Sequence, residues 1–536
     1  MKLSLKLEYF IATVSFYIFL LNLFANHHFE AIYLSIAPLL LIPLLLSIGA
    51  ILHQVLLKSL AVILIMLASG SIFFKWKYNI VITEDILLSG LINDFSLTQE
   101  IISISFLVWV FLTAIIPLII IILIQIKKYK KRTALYCVVT VMILLSTVAY
   151  FQGYKYRKPG QIRDFTAIKA ISAASPIDLI VAYKKAVKSL KILKKTYTKA
   201  KSNQVENYIL DNKNDNLIVV VVVGESSRAD HFSLNGYEKE TNQYLKTIPH
   251  LYSFKNVTSC DTLTIRSLAY MFTPLQCDTQ LAQVQEESVV TIMQRLGFNV
   301  HIYSLQTLSS FYRFLGYDTL VSKYAVINEQ NFGTRDKALL PYLHHTLQNY
   351  KEGKMLIILH TLGSHQSYID RLDTDDIKFK PICTYQDVKR CSQKILINTY
   401  DNTIVAIDKF LFSIINKLQD KNAILFYISD HGESLGENGF YFHGYPKNSA
   451  PKEQFKVPFI VWMSDTYLHY AEAKNLQYFV QTKGLDANIT HDYLFHTILG
   501  CSQIVSDGQT QHQSLNLCSN PSSQDSFTTL LKSPKK

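Results

Sequence analysis

The stretch that decides the fold is Leu217-Ile218-Val219-Val220-Val221-Val222-Val223-Gly224-Glu225-Ser226-Ser227-Arg228. Seven consecutive apolar residues, six of them β-branched, end in a glycine and a carboxylate. A run this short and this β-branched is typical of a strand buried on both faces in a parallel sheet. Ligands of open α/β sheets bind beyond the carboxyl ends of such strands. Glu225 is therefore either a functional residue or an ordinary polar residue where a strand ends.

Two further apolar runs end in the same way. Met355–Leu359 is followed by His360-Thr361-Leu362-Gly363-Ser364-His365, and Ala423–Ser429 is followed by Asp430-His431-Gly432-Glu433. From about residue 205 onward such runs alternate with helical stretches, which predicts an α/β domain. The three strands then deliver carboxylates and imidazoles to one edge of one sheet. Oxygen and imidazole ligands of this kind predict a site for zinc or another divalent metal.

The N-terminal part of the 536-residue chain has a different composition. A bilayer-spanning helix needs about 20 apolar residues. Five stretches meet that length, at approximately 8–26, 31–51, 56–75, 101–126 and 133–152. We read the first as a retained span, because four more spans follow and no small-x-small cleavage site is visible. The composition therefore predicts a helical membrane domain joined to the α/β domain.

Basic residues predict how this membrane domain is oriented. Lys2 and Lys6 precede the first span, Lys58 borders the second loop, and Lys127-Lys128-Tyr129-Lys130-Lys131-Arg132 fills the fourth. In a five-span topology all of them lie on one side, which the positive-inside rule makes cytoplasmic. The rest of the chain is then outside the cytoplasm. We expect a five-span domain at 1–152, an amphipathic linker at 153–210 and a catalytic domain at 211–536.

Cysteines and charge agree with an external domain at a membrane surface. Cys137 falls in the fifth span, and the order of the other six suggests the pairs Cys260–Cys277, Cys383–Cys391 and Cys501–Cys518, although sequence alone leaves the connectivity open. The net charge of +12 favours membrane phospholipid or an acidic glycolipid over nucleic acid as partner. The lysine-rich stretch Ile180–Ala200 has helical periodicity. It is either an amphipathic helix on the bilayer or a solvated connector.

Hydroxyl groups cluster in Cys260-Asp261-Thr262-Leu263-Thr264, directly before a segment with a helical pattern. A threonine at a helix start lies at the positive end of the helix dipole, which favours a developing alkoxide. Coordination to a metal would lower the pKa of its hydroxyl further. The alternative is that Thr262 or Thr264 only caps the helix. The pattern leaves both interpretations open.

Several motifs resemble the phosphoethanolamine transferases that modify lipopolysaccharide. This is a family with five spans and a periplasmic α/β domain of the alkaline-phosphatase and sulfatase type. The match covers almost the whole chain and is most specific in Gly224–Tyr237, Cys260–Thr264, Gly363-Ser364-His365, Tyr400-Asp401-Asn402, Ser429–Glu437, His443-Gly444 and Val457-Pro458. The resemblance implies a multi-pass protein of the bacterial inner membrane. It also implies phosphatidylethanolamine as donor, and the phosphates of lipid A or the Kdo and core sugars of lipopolysaccharide as acceptor.

Carried over by position, the resemblance makes Glu225, Thr264, Asp430 and His431 ligands of zinc, with Thr264 also the nucleophile. His365 and His443 correspond to a second cluster, which binds the substrate phosphate or a second metal ion. One zinc ion or two are implied, with calcium as the alternative metal. The threonine would attack phosphorus, release diacylglycerol and carry phosphoethanolamine to the acceptor.

Other polar residues near these motifs receive supporting roles. We expect Glu433 and Glu437 to support the site from behind the ligands, His360 to be structural, and His491 and His496 to bond or pack locally. The sequence departs from the family in Leu268-Ala269-Tyr270-Met271-Phe272, where a Pro-Cys-Met-Phe element is usual, and in Tyr303-Ser304-Leu305-Gln306-Thr307, where a loop rich in lysine and cysteine is usual.

Two alternatives compete with the transferase assignment. A phosphoglycerol transferase of the lipoteichoic-acid-synthase kind shares the spans, the fold and a threonine nucleophile. A catalytically inactive membrane scaffold would have lost at least one of the four principal residues, and all four are present.

Overall fold

The structure is a computed structural model. It describes residues 4–25, 29–78, 80–92, 102–141, 143, 175–200, 207–210, 216–279, 286–306, 335–506 and 514–519. The chain divides into two compact units, one of Met1–Leu88 with Ile101–Val187 and one of Ser89–Glu100 with Lys188–Lys536.

The first unit is built from apolar helices. They are α1 (Leu7–Ala25), α2 (Phe29–Leu52), α3 (Gln54–Tyr78), α4 (Glu84–Ile92, which ends in the second unit), α5 (Ile104–Leu123, with a π-helical segment at Phe111–Ile115) and α6 (131–141). Among the described residues, three segments are long and apolar enough to cross a membrane: Leu7–Phe24, Gln54–Tyr78 and Ile104–Leu123. A shorter apolar stretch, Leu41–Leu52, belongs to α2. Most of the expected fifth span and of the linker before residue 175 lies outside the described residues, so five spans stay a prediction.

Contacts at the helix ends define the directions of α1, α3 and α5. Phe24, Trp76 and Trp109 gather where α1 and α3 end and α5 begins, with ring centroids 5.3 Å apart for the first pair and 5.1 Å for the two tryptophans. At the opposite ends, strand β1 (Ser4–Leu5) pairs with β2 (Gln125–Ile126). Lys58 Nζ donates there to the carbonyl oxygen of Ile124 at 2.6 Å. Helices α1 and α3 therefore run one way and α5 the other, as alternating membrane spans require.

The second unit contains one central sheet and several two-residue or three-residue strands. The strands are β3 (Tyr208–Leu210), β4 (Leu217–Gly224), β5 (Leu251–Phe254), β6 (Val257–Thr258), β7 (Asn299–Ser304), β8 (Lys354–His360), β9 (Ala423–Ser429), β10 (Ser434–Leu435), β11 (Tyr441–Phe442), β12 (Phe459–Met463), β13 (Ile489–Thr490) and β14 (Ile504–Ser506). The central sheet has the order β5-β12-β9-β4-β8-β7. Strands β9, β4, β8 and β7 are parallel, whereas β12 runs antiparallel to both of its neighbours.

The three apolar runs of the sequence are adjacent strands in this sheet. Every residue of β4 and β9 is buried, as expected for strands covered on both faces. Val223 pairs with His360 of β8, and Gly224 pairs with Ser429 of β9. Because the register aligns the strand ends, the residues after β4, β8 and β9 lie at the same edge.

Helices and disulfides complete the second unit. The helices are α7 (Ile177–Ala200, which begins in the first unit), α8 (Thr264–Phe272), α9 (Val289–Arg295), α10 (Leu340–Asn349), α11 (Gln393–Leu418), α12 (Ala471–Lys483) and α13 (Asp492–Cys501). The disulfides are Cys260–Cys277, Cys383–Cys391 and Cys501–Cys518, so the three sequence-local pairs occur. Helix α7 exposes its lysines at 184, 185, 188, 191, 194 and 195. It buries Ala182 and Ala186, whereas its apolar residue Tyr183 is 54% exposed, so the two roles expected for this helix stay predictions.

Candidate metal centre

The carboxyl edge of the central sheet carries the predicted site. Asp430 N donates to Gly224 O at 3.1 Å, and Thr361 N donates to Val223 O at 3.0 Å, so each strand pairing extends one residue past the strand. Gly363 lies against the backbone of Glu225, where an added Cβ would be 2.6 Å from the Glu225 carbonyl oxygen. The loops after β4, β8 and β9 are therefore in direct contact.

Four predicted residues form one compact group. Thr264 Oγ1 donates to Glu225 Oε2 at 3.1 Å and lies 3.3 Å from His431 Nε2. His431 Nε2 lies 3.3 Å from Glu225 Oε1 and 3.2 Å from Asp430 Oδ2. Glu225, Asp430 and His431 are completely buried, and Thr264 is 8% exposed. We call these four residues the primary group.

The structure decides between the two interpretations of the threonines. Helix α8 begins at Thr264, and its N-cap residue is Leu263, with no side-chain hydrogen bond to the cap. Thr262 Oγ1 donates instead to the carbonyl oxygen of Tyr445 at 2.6 Å. Neither hydroxyl caps the helix, and that of Thr264 faces the carboxylate and the imidazole.

The buried side chains of Glu225, Asp430 and His431 are in contact, and each shifts the pKa of the others. Burial favours the neutral form of Glu225, but the positive charge of His431 outweighs it and holds the pKa of Glu225 well below 4.5. Burial and the charge of Glu225 together raise the pKa of Asp430 well above 3.8. Burial opposes the charged form of His431, yet the two carboxylates raise its pKa to about 10. The protons held by Asp430 and His431 thus offset the repulsion between the two neighbouring carboxylates.

A divalent cation could also offset the negative charge of these two carboxylates. Oδ2 of Asp430 is buried and accepts no hydrogen bond of acceptable geometry from the described residues. Glu225, Asp430 and His431 each offer a ligand atom, and these atoms lie within 4.8 Å of one another. A carboxylate oxygen without a donor, beside a second carboxylate and an imidazole, is a donor set suited to a metal ion.

His365 and His443 lie next to the primary group. Their rings are 5.4 Å apart, and the ring of His443 is 4.1 Å from that of His431. Ligand atoms of Glu225, His365 and His443 also lie within 4.8 Å of one another, so Glu225 belongs to both groups. We call His365 and His443 the second group. The structure brings together all six residues predicted from the sequence.

The acidic residues of the Ser429–Glu437 motif have different partners. Glu433 Oε2 lies 2.7 Å from His443 Nδ1, and Glu433 Oε1 accepts from the hydroxyl of Tyr368 at 2.7 Å. Burial raises the pKa of Glu433 to about 8. Glu437 forms an ion pair with Arg228 at 2.5 Å. Both glutamates thus hold neighbours of the site, as expected.

Ser226 connects the two groups. Its Oγ donates to Glu225 Oε1 at 2.9 Å and lies 3.3 Å from His443 Nδ1. Its φ of 56° lies in the left-handed region, which non-glycine residues adopt at a cost of about 1–3 kcal/mol. The hydroxyl of Tyr400 donates to the Ser226 carbonyl oxygen at 2.7 Å and so holds this turn.

The structure reveals contacts that sequence reasoning missed. Gln306 Nε2 donates to Glu225 Oε2 at 2.7 Å. Asp336 accepts from the backbone N–H of Leu362 at 2.8 Å and of Gly363 at 3.2 Å, and so holds the turn before His365. Gln306 follows β7 at the same edge of the sheet, which is a signal that could have been used. Asp336 has no comparable signal.

The remaining histidines have structural positions, one of them not as expected. His360 is buried within β8, and burial lowers its pKa to about 4. His496 contacts Phe495 beside it, with ring centroids 5.0 Å apart. For His491 the expectation of local bonding is wrong. Its Nδ1 accepts from Cys260 N at 3.3 Å and its Nε2 donates to Ser429 O at 3.0 Å, because its burial between distant loops leaves only their backbone groups as partners.

Comparison with family models finds two matches that together span both units. The model described as Sulfatase matches residues 218–504, which is more than half of the chain. The model described as Phosphoethanolamine transferase EptA/EptB matches residues 39–165.

Individual proteins extend this similarity. The chain is 30% identical over 501 residues to the Kdo(2)-lipid A phosphoethanolamine 7''-transferase of Salmonella typhimurium, covering 87% of this chain and 86% of that protein. It is 30% identical to the phosphatidylethanolamine transferase Mcr-1 of Escherichia coli, covering 85% of each. The integral membrane lipooligosaccharide phosphoethanolamine transferase A of Neisseria meningitidis superposes with a TM-score of 0.77 at 23% identity, covering 96% of this chain and 98% of that one. That last likeness shows the shared fold.

Proposed function

This chain belongs to the phosphoethanolamine transferase family, and we propose that it transfers phosphoethanolamine from phosphatidylethanolamine to lipopolysaccharide through a covalent intermediate on Thr264. One observation carries the proposal. The hydroxyl of Thr264 is turned away from helix capping and toward Glu225 and His431. A threonine in that position is poised as a nucleophile.

The reaction consists of two displacements at phosphorus. In the first, Thr264 Oγ1 forms a bond to phosphorus while the bond to the glycerol oxygen breaks, and diacylglycerol leaves with the proton that the threonine gave up. In the second, an oxygen of the acceptor forms a bond to phosphorus while the bond between phosphorus and Thr264 Oγ1 breaks, and the proton that the acceptor loses returns to Thr264. Glu225 Oε2, which accepts the hydrogen bond of the hydroxyl at 3.1 Å, orients that hydroxyl for attack. Dividing the transfer in this way replaces one difficult step by two easier ones.

We assign the primary group to one zinc ion, held by Glu225, Thr264, Asp430 and His431. A bound zinc ion would lower the pKa of the threonine hydroxyl and offset negative charge on the phosphoryl oxygens. The imidazole of His431 favours zinc over calcium, because calcium takes oxygen ligands.

The second group suits the phosphate of the substrate. His365 and His443 lie beside His431, so their ring nitrogens can bond the non-bridging oxygens of the phosphorus that Thr264 attacks. The two carboxylates of the primary group would repel a phosphate, and imidazole donors offset this repulsion. Glu433 keeps the ring of His443 in place at 2.7 Å.

The location follows from the substrates and the helices. We assign the first unit to the bacterial inner membrane with five spans, and the second unit to the periplasm. There the donor phospholipid and newly exported lipopolysaccharide share one leaflet, and the disulfides are stable. Adding phosphoethanolamine brings an ammonium group to the acceptor and lowers the negative charge of the outer surface.

Mass spectrometry of lipopolysaccharide tests the function. The full-length chain, Thr264→Ala and Thr273→Ala are expressed in Gram-negative cells that lack their own phosphoethanolamine transferases. Thr273 is a matched control, since it lies just after the end of the same helix and its hydroxyl contacts only nearby backbone, donating to Ala269 O at 2.6 Å and accepting from Leu275 N at 3.4 Å. The wild type and Thr273→Ala should add phosphoethanolamine, and Thr264→Ala should add none.

Several results would contradict the proposal. Modification by Thr264→Ala would exclude the threonine intermediate. A folded wild-type protein that adds no group would exclude the transferase, and the mass of a phosphoglycerol group would favour that alternative. Fragmentation of the modified species places the group on lipid A, Kdo or core.

A further inference from the structure

Gln306 lies two residues after the end of strand β7 and contacts the primary group, although no residue of the primary group comes from β7 or the turn after it. Strand β7 ends at Ser304, which pairs with His360 of β8. The pairing continues one residue further, because Leu305 N donates to His360 O at 2.9 Å. Ser304 Oγ then donates to the backbone carbonyl oxygen of Gln306 at 2.9 Å and closes the turn. The backbone therefore holds Gln306 at the edge where Glu225 lies.

The side-chain amide of Gln306 has one possible orientation. Its Nε2 donates to Glu225 Oε2 at 2.7 Å and to the carbonyl oxygen of Thr361 at 3.0 Å. Neither partner can donate a hydrogen bond, so the nitrogen and not the oxygen of the amide must face both. Both N–H bonds are thus used, and the side chain is only 2% exposed.

We propose that Gln306 is the positioning residue of Glu225, which its amide holds in the orientation that serves Thr264 and the metal. This inference rests on the proposed metal site. Each oxygen of the Glu225 carboxylate accepts from one side chain outside the primary group, Ser226 Oγ on Oε1 at 2.9 Å and Gln306 Nε2 on Oε2 at 2.7 Å. Two donors on two oxygens fix the plane of the carboxylate.

An amide is suited to this position because it is neutral. A lysine or arginine at the same place would form an ion pair with Glu225 and would compete with the cation for its charge. The amide orients the carboxylate and leaves its charge to the metal. Partners of this kind, behind the ligands of metal sites, affect affinity or activity by about 10–100-fold when they are removed.

The test measures zinc binding by the full-length protein in detergent, apart from any transfer assay. Gln306→Met keeps the length of the side chain and removes both donors, and Gln306→Asn keeps the amide but is one methylene too short to reach. The matched control is Asn402→Leu. Asn402 is an equally buried amide in the same unit, and it bonds only the backbone of Lys378 and Phe379.

We expect chelator competition to show zinc bound about 10–100-fold more weakly by both Gln306 variants. The absorption spectrum of the cobalt-substituted protein should also change, since it reports ligand geometry. Asn402→Leu should lower the melting temperature but keep the wild-type zinc affinity and cobalt spectrum.

Three results would overturn the inference. Wild-type affinity and spectrum in Gln306→Met and Gln306→Asn would show that Glu225 needs no such support. An equal loss of affinity in Asn402→Leu would assign the effect to general destabilisation. If Glu225→Gln bound zinc as tightly as the wild type, the proposed metal site itself would be wrong, whereas weakening in Glu225→Gln alone would reject only the role of Gln306.

Discussion

Replacing Gly363 with alanine should disturb the proposed metal site without changing any of the side chains that form it. Gly363 has a φ of 45°, in the left-handed region, and an added Cβ would lie 2.6 Å from Glu225 O and 3.0 Å from Glu225 N. These are backbone atoms that cannot rotate away. The same carbonyl oxygen accepts a hydrogen bond from Ser364 N at 2.8 Å, which the methyl group would disturb. The loops of Glu225 and His365 must therefore move apart.

The cost has two parts. The left-handed backbone costs alanine about 1–3 kcal/mol. The clash adds about 1–3 kcal/mol, as is typical of an extra methylene in a packed interior. Gly353→Ala is the matched control, because Gly353 directly precedes the strand that Gly363 follows. It has a φ of 98° and nothing within 4 Å of an added Cβ, so this variant should pay the first part only.

Thermal unfolding, zinc affinity and transfer rate are measured for both variants. Both should unfold at lower temperature than the wild type. Only Gly363→Ala should bind zinc more weakly and transfer phosphoethanolamine more slowly, by up to about 100-fold, since displacement of a reacting group by about 1 Å can have that effect. Equal zinc affinity and equal rates in the two variants would refute the contact between Gly363 and Glu225 as the determinant of the site.

Three further predictions concern metal and pH. Chelation should lower the melting temperature of the wild type, because a metal at 100 times its Kd stabilises the folded state by about 2.7 kcal/mol. It should not lower that of Asp430→Asn, which lacks a metal ligand. An equal shift in both proteins would argue against Asp430 as a ligand. Burial raises the pKa of Asp408 from 3.8 to about 6. Between these two pH values the folded state holds a proton that the unfolded state has lost. The free energy of unfolding should therefore fall by roughly 3 kcal/mol as the pH rises from 3.8 to 6. Urea titrations should show this fall in the wild type and not in Asp408→Asn. Burial lowers the pKa of His491 from 6.5 to about 3, so the unfolded state binds a proton there before the folded state does. The free energy of unfolding should therefore fall as the pH drops below 6.5, and less steeply in His491→Gln. The same dependence on pH in both proteins would contradict this role of His491.

Local patterns predicted the sheet and most of the site. The β-branched run before Glu225 and the runs before His360 and Asp430 became adjacent buried strands, since burial on both faces leaves such a pattern in the sequence. The polar residues directly after them could therefore be placed at one edge. His443 and the role of Thr264 as nucleophile were implied only by the resemblance to the family, since neither residue follows one of these three runs.

What remained hidden depends on contacts between distant residues. A threonine at a helix start looks the same in the sequence whether it caps the helix or acts as a nucleophile. Only the position of Glu225, 39 residues away, distinguishes the two roles. His491 follows no recognisable pattern, and Gln306 is marked only by its place just after β7, because the partners of a buried imidazole or amide are set by the backbone groups around it. Their roles arise from the assembled fold.

The disulfide Cys260–Cys277 gives the molecule an order of maturation. It joins a residue four positions before Thr264 to one five positions after the end of α8, and so it closes the nucleophilic helix into a loop. A newly made chain with reduced thiols lacks this closure. Under the proposed function, Thr264 is therefore held in place by this bridge only after export to a compartment that oxidises cysteines.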